Sequence, residues 1–236
     1  MSIHRRRFLA LSAAAASGSL LAACNSPGPD SARALLEFAE QSNEKLERRI
    51  LRRRSRDVAP DVPLAGNRMP AYSITKPAPV WDPAVRGAWT LEVSGLVRRP
   101  LRLTFHELTR LPAITQRVNH YCVEGWNVVT EFTGVRVSRL ARLAGVLPDA
   151  GYVDFASFDK DYHESWDIES ALHSQTLIAY AREGYLLSPA YGAPARLHSP
   201  IKLGYKSVKY LTRITFMPER NGGYWSDQGY EWFAGV

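Results

Sequence analysis

Cysteine is nearly absent from this chain of 236 residues, which has Cys24 and Cys122 and no others. Stability from a disulfide framework is therefore excluded, beyond a single Cys24–Cys122 bridge. The six histidines show no His-Glu-x-x-His spacing and there are no cysteine pairs, which removes the usual zinc arrangements. A Gly-x-Ser-x-Gly elbow is also missing, and with it the common serine-hydrolase signature. Past the N-terminal segment no apolar run reaches the length that crosses a bilayer, and no internal repeat is visible.

The N-terminus carries most of the targeting information. Arg5, Arg6 and Arg7 precede Phe8-Leu9 and an uncharged, alanine-rich run from Ala10 to Ala23. This order reads as a twin-arginine signal, which exports proteins already folded and commonly loaded with a cofactor; an ordinary secretory signal with a surplus arginine is the alternative. Leu21-Ala22-Ala23-Cys24 has the form of a bacterial lipobox, in which the cysteine is lipidated and becomes the first mature residue. Residues 1–23 are thus expected to be a signal peptide, and the protein to sit on the periplasmic side of the bacterial envelope on a lipid anchor. Cys122 is then the sole free thiol, in a compartment where unpaired thiols are uncommon and a metal-binding role is favoured over a packing one.

The formal charge of +7 raises the question of nucleic acid. However, Arg5 to Arg7 leave with the signal, while Arg48, Arg49, Arg52, Arg53, Arg54 and Arg56 crowd one stretch outside the expected domain. That stretch suits anionic head groups or solvent, and no nucleic-acid partner is expected. Residues 24–66 read as a tether and basic spacer. Ser31 is placed to cap an amphipathic helix over 34–54 that carries Leu35, Phe38, Leu46, Ile50 and Leu51. Prolines at 60, 63, 70, 77, 79 and 83 then mark an extended entry into the globular part.

From Trp89 onward the pattern is of short strands mixed with short helices. Trp89 to Ser94 alternates as a half-buried strand and stops at Gly95. Thr104 and Glu107 form a capping box. Ser138 is placed to cap a second helix, with Leu140 and Leu143 inward and Gly145 as its stop. Residues 152–158 and 211–216 again read as strands. The sum is α+β with a mixed sheet.

Four ordered blocks carry a resemblance: Cys122-Val123-Glu124-Gly125-Trp126, Phe132-Thr133-Gly134-Val135, Gly192 to Leu197, and Lys202 to Lys209. Gly222-Gly223-Tyr224-Trp225 and Gly229-Tyr230 extend it. From about Met69 to the C-terminus the chain resembles the sulfite oxidase fold of molybdopterin enzymes, which places the oxidoreductase domain at 67–236. Within that group it is most similar to the bacterial branch containing the catalytic subunit of periplasmic protein-methionine-sulfoxide reductase. The resemblance implies an enzyme with a molybdenum-molybdopterin cofactor whose metal is ligated by Cys122, a soft thiolate suited to a soft, redox-active centre. It also implies that Arg196, Ser207, Val208 and Lys209 hold the phosphate end of the pterin, that Ser157 supplies a nearby hydroxyl, and that Tyr72 and Ser73 make an N-terminal contact. Tyr191 stands where the family commonly has Asn or His facing the cofactor. A membrane haem protein is the implied electron donor. A monomer is expected, since no immunoglobulin-like dimerisation domain follows.

Several residues keep a plainer reading. Lys202, Lys206 and Lys209 can be a solvated face. His120 and Cys122, two apart on a strand, share a face as a cysteine–histidine nucleophile pair would, without a motif for the orienting third group. Glu124 suits either the site or a buried salt bridge. Sulfite oxidases follow the cysteine with a Gly-Asn-Arg-Arg-like stretch that receives an anion. The acidic and apolar Val123 to Trp126 instead suits a neutral sulfoxide, free or protein-bound. A metal-free lipoprotein that uses the fold as a binding module is the reading from a different class.

Overall fold

The computed structural model of the chain describes residues 30–51 and 61–236. The expected signal, its arginines and Cys24, as well as Arg52 to Arg54 and Arg56, lie outside the described residues. Helix α1, Asp30–Leu51, begins before Ser31, so Ser31 lies within the first turn and is not its cap. The chain divides into two units within this helix, one ending at Leu46 and the other running from Glu47 to Val236. In the second unit Arg48 donates to Glu169 at 2.7 Å.

Local sequence accounts for most of the element boundaries that follow. Asp82 caps the one-turn helix α2, Pro83–Arg86, by accepting from Ala84 N. Strand β1, Thr90–Gly95, buries Leu91 and Val93 on one face, as its alternation predicts. Strand β2, Leu101–Thr104, runs into helix α3, Phe105–Arg110, at Thr104, where the expected capping box with Glu107 is formed. The hairpin of β3, Ile114–Tyr121, and β4, Asn127–Arg136, is antiparallel along its whole length. Helix α4, Val137–Ala144, follows β4 without a gap, which corrects the expectation for Ser138. Arg136 holds the N-cap position without a side-chain bond, and Ser138 falls inside the helix because the strand before it runs too far to leave a turn. Gly145 ends that helix in the left-handed region, φ 68°, as expected. Leu140 is buried, whereas Leu143 is only partly so.

The remaining strands are β5 (Tyr152–Ser157), β6 (His163–Asp167), β7 (Leu177–Arg182), β8 (Tyr185–Leu186), β9 (Arg196–His198) and β10 (Leu211–Met217). Between β6 and β7 lies the one-turn helix α5, Ile168–Ala171. One sheet has the order β2-β1-β10-β5-β6, mixed because β1 and β10 are parallel and its other pairs antiparallel. The second has the order β3-β4-β7-β8, with β9 also on β7. The core draws Leu91, Val93, Phe155, Trp166 and Ile214 from the first sheet and Val135, Ile178 and Leu197 from the second. That places the start of β9 and the tip of the β3–β4 hairpin on a rigid base, where function-bearing loops can be held.

Candidate active site

The tip of the β3–β4 hairpin is a tight loop. Beyond the last pair, Tyr121 with Asn127, the Cys122 amide donates to Trp126 O at 2.9 Å and the Gly125 amide donates back to Cys122 O at 3.1 Å. Gly125 has φ 85°, a conformation that the turn requires and that glycine adopts without strain. Cys122 is thereby held at the wall of a cleft of about 440 Å³. Burial pushes its thiol up, and the nearby Glu124 carboxylate adds to the rise. Binding a soft metal would displace that proton.

The mouth is acidic and aromatic. Glu124 is exposed and makes no salt bridge among the described residues. It accepts from Tyr72 Oη at 2.8 Å and from Trp126 Nε1 at 3.1 Å, and these bonds hold its carboxyl below the ordinary range. Tyr224, Trp225 and Tyr230 line the cleft further on, in ring contact at 5.1–5.2 Å between successive centroids. Ser73 also lines it. Asp159, next to them, accepts from the amides of Ile74 and Thr75 and from the Thr75 hydroxyl, which fixes the 73–76 segment against the site. Ser157 Oγ accepts from Asp159 N at 2.9 Å.

Deeper in the cleft two cations make no salt bridge among the described residues. Arg196, at the start of β9 and 2% exposed, donates to the carbonyls of Leu197, Tyr191 and Ser207 at 3.2–3.4 Å. Burial pushes its guanidinium down to about 10. Lys209 Nζ donates to the carbonyls of Tyr72 at 2.6 Å and Ala190 at 2.7 Å, and burial, reinforced by the Arg196 charge, pushes it down to about 7. Gly192, with φ 101°, makes room for both: a Cβ there would meet Lys209 Cβ at 2.9 Å and Arg196 Cβ at 3.2 Å. The buried Ser207 Oγ and Tyr210 Oη line the same cleft and have no hydrogen-bond partner among the described residues.

The lysine block is not a solvated face. Lys206 is buried against Glu164 at 2.5 Å, and Lys202 against Asp167 at 3.2 Å. Two of its three cations are therefore spent within the fold, and Lys209 alone is left for the cleft. Seven of the residues expected at the site meet there: Cys122, Tyr72, Ser73, Ser157, Arg196, Ser207 and Lys209. Tyr191 does not line the cleft. Its hydroxyl donates to Met69 O at 3.0 Å and its ring lies 3.9 Å under the Arg182 guanidinium, so the longer phenol is turned away and only its carbonyl, on Arg196, serves the site. Val208 packs its side chain into the core, and its carbonyl accepts from Leu197 N. Asp159, Tyr162 and Tyr210 line the cleft without having been expected there. Asp159 sits in an ordinary loop sequence, and the two tyrosines read as core aromatics, so no local signal marks them. His120 also faces the cleft and is neutral: burial, then Arg196 and Lys209, push it down to about 3. No hydrogen bond joins it to Cys122 among the described residues.

A buried and a half-buried cation with only carbonyl hydrogen-bond partners, hydroxyls left unbonded and a lone thiol along one cleft are the donor set that a phosphate-bearing, metal-chelating dithiolene requires. Among the described residues no group of three His, Cys, Asp or Glu side chains could form an all-protein metal site. The cleft therefore fits a metal whose remaining ligands arrive with a cofactor.

Comparison with known proteins gives the same reading. The family of oxidoreductase molybdopterin binding domains matches residues 76–225. YedZ1 of Azospira oryzae, provisionally named a protein-methionine-sulfoxide reductase subunit, is 41% identical over 70% of this chain and 66% of its own length. The protein-methionine-sulfoxide reductase catalytic subunit MsrP of Gluconobacter oxydans is 33% identical over 58% of this chain and 50% of its own. The chain thus spans between half and about two thirds of the length of these relatives. Among solved structures the sulfane dehydrogenase SoxCD of Paracoccus pantotrophus superposes with a TM-score of 0.55 at 25% identity, over 60% of this chain and 40% of that one.

Proposed function

Because the chain belongs to the molybdopterin-binding oxidoreductases and has the sulfite oxidase fold, we propose that it is an exported, lipid-anchored enzyme that uses a molybdenum-bound molybdopterin to reduce sulfoxides of the methionine-sulfoxide type. The observation that carries this reading is the cleft itself, which Cys122 lines together with Arg196 and Lys209, cations bonded only to carbonyls, behind a mouth of carboxylate and aromatic groups.

Bound there, the cofactor supplies two-electron oxygen-atom transfer at its metal. Cys122 would hold the metal through its sulfur, and Arg196, Lys209 and the Ser207 hydroxyl would hold the phosphate end, where desolvated cations bonded only to carbonyls bind an anion strongly. Reduction of a sulfoxide consumes two electrons and two protons and yields a thioether and water. A membrane haem protein is the electron source, kept close by the anchor's effect on local concentration. Glu124, ionised and fixed by Tyr72 and Trp126, repels an anion such as sulfite, while the rings of Trp126, Tyr224, Trp225 and Tyr230 accept a neutral, partly apolar sulfoxide. The neutral imidazole of His120 adds no charge to that path.

The test is turnover of cofactor-loaded protein with an artificial electron donor. Methionine sulfoxide and small dialkyl sulfoxides should be reduced with little dependence on ionic strength, and sulfite should be oxidised poorly or not at all. Efficient sulfite oxidation that falls steeply with salt, without sulfoxide reduction, would overturn the direction.

A further inference from the structure

Two buried imidazoles lie side by side, one of them on the cleft. His120, 5% exposed, is the penultimate residue of β3 and lines the cleft together with Cys122, two positions further along. Side chains two apart on an extended chain share a face, so the imidazole and the thiol are presented to one space. Its ring packs between Trp126, at 5.9 Å between centroids, and His198, at 5.6 Å. His198, on β9, is fully buried, lies 4.0 Å from the Phe132 ring centroid and is not among the residues that line the cleft.

The two nitrogens of His120 differ in what they can reach. Nδ1 is closed off from solvent and has no hydrogen-bond partner among the described residues, and both nitrogens of His198 are in the same position. Nε2 lies beside Gly204, another residue of the cleft lining, where a Cβ would meet Nε2 at 2.8 Å and Cε1 at 3.1 Å. The absent side chain is what lets this edge of the ring reach the lining. A neutral imidazole has one N–H to place, and a buried N–H without an acceptor is costlier than an unused lone pair. The proton therefore belongs on Nε2, which makes His120 a hydrogen-bond donor toward whatever fills the space beside Cys122. It is more deeply set than the exposed Glu124 and within reach of the Arg196 and Lys209 charges, so it faces the cofactor and not the mouth. A dithiolene chelating a metal on Cys122 presents electron-rich sulfur there. We propose that His120 is a cofactor-binding residue whose Nε2–H donates to a dithiolene sulfur beside the Cys122 ligand. This rests on the reading of the cleft as a molybdopterin site. A donor on metal-bound sulfur stabilises the reduced, more electron-rich state and so raises the potential of the metal.

Three substitutions separate contact from packing. His120→Phe keeps a ring and removes both nitrogens, His120→Gln carries an amide N–H to the place of Nε2, and His198→Phe alters the neighbouring ring that does not line the cleft. Each empty protein is titrated with molybdopterin released from a donor protein, and bound pterin is read by its fluorescence. Each loaded protein is taken through a redox titration followed by the paramagnetic resonance of molybdenum. His120→Phe should bind the pterin roughly three- to tenfold more weakly, which is what one lost hydrogen bond is worth, and its metal should be reduced at a lower potential. His120→Gln should restore both properties, and His198→Phe should match the parent in both. Equal binding by the parent and His120→Phe, equal losses in His120→Phe and His198→Phe, no recovery in His120→Gln, or weaker binding at an unchanged potential each overturns the contact with sulfur and leaves the cofactor reading standing. Should His120→Phe fail to fold, His120→Asn takes its place: its amide stops short of Nε2, so it should lose what His120→Gln keeps, and equal behaviour of the two overturns the contact. A parent that takes up no pterin overturns the contact and the cofactor reading together.

Discussion

Lys209 shows how one residue's surroundings decide its chemistry. Its ammonium has only carbonyl partners and lies under the influence of Arg196, and its value falls to about 7. A bound phosphate would restore the proton, so binding is linked to proton uptake. The affinity of cofactor-free protein for the phosphate-bearing pterin should fall as pH rises above about 7, by up to roughly tenfold per pH unit, and Lys209→Arg should flatten that dependence. Titration calorimetry in buffers of different ionisation enthalpy reads the proton directly. The sign for stability is opposite. Between about 7 and the ordinary lysine value the unfolded chain holds a proton that the folded one has lost, so the empty fold gains stability as pH rises through that window. Cys122 and Arg196 were legible as residues, because their blocks are ordered along the chain. The orientation of Tyr191 was not, because it follows from Arg182 and Met69, far away in sequence.

At the scale of elements, the local sequence marks several strands and one helix start, but not every helix cap. Alternation marks β1, the strand-like runs at 152–158 and 211–216 correspond to β5 and β10, and a three-residue spacing marks the α3 capping box. Ser138 misled because the length of β4, set by its pairing with β3 and β7, decides where α4 starts. The lysine block shows the same limit. A run of Gly, Tyr and Lys looks exposed, and only the β6 partners, Glu164 and Asp167, reveal that Lys206 and Lys202 fasten this segment to the first sheet. Both members of the Lys206–Glu164 pair are fully buried, so removing one leaves an unpaired charge in the interior. Lys206→Met should therefore cost about 3–5 kcal/mol in urea unfolding. Lys206→Met combined with Glu164→Leu should recover much of that loss, because the buried charge is then gone from both sides.

For the whole molecule, one mixed and one antiparallel sheet hold a hairpin tip and the lysine segment that follows β9 close enough to line one cleft. Neither contribution suffices alone. The hairpin brings a thiol whose proton burial retains, and Arg196 and Lys209 bring charge whose hydrogen-bond partners are carbonyls. The α+β class and the order of the blocks were visible in the sequence. The division of labour within them, with Lys202 and Lys206 structural and Lys209 in the site, appeared only in the packing. The central claim is that Cys122 is the protein's ligand to the metal of the pterin. It is tested most directly by X-ray absorption at the molybdenum edge on cofactor-loaded parent and Cys122→Ser protein of equal pterin content. The account predicts that the variant keeps its pterin through Arg196 and Lys209, loses a sulfur scatterer from the metal shell and loses turnover. An identical sulfur shell in the two proteins would contradict it.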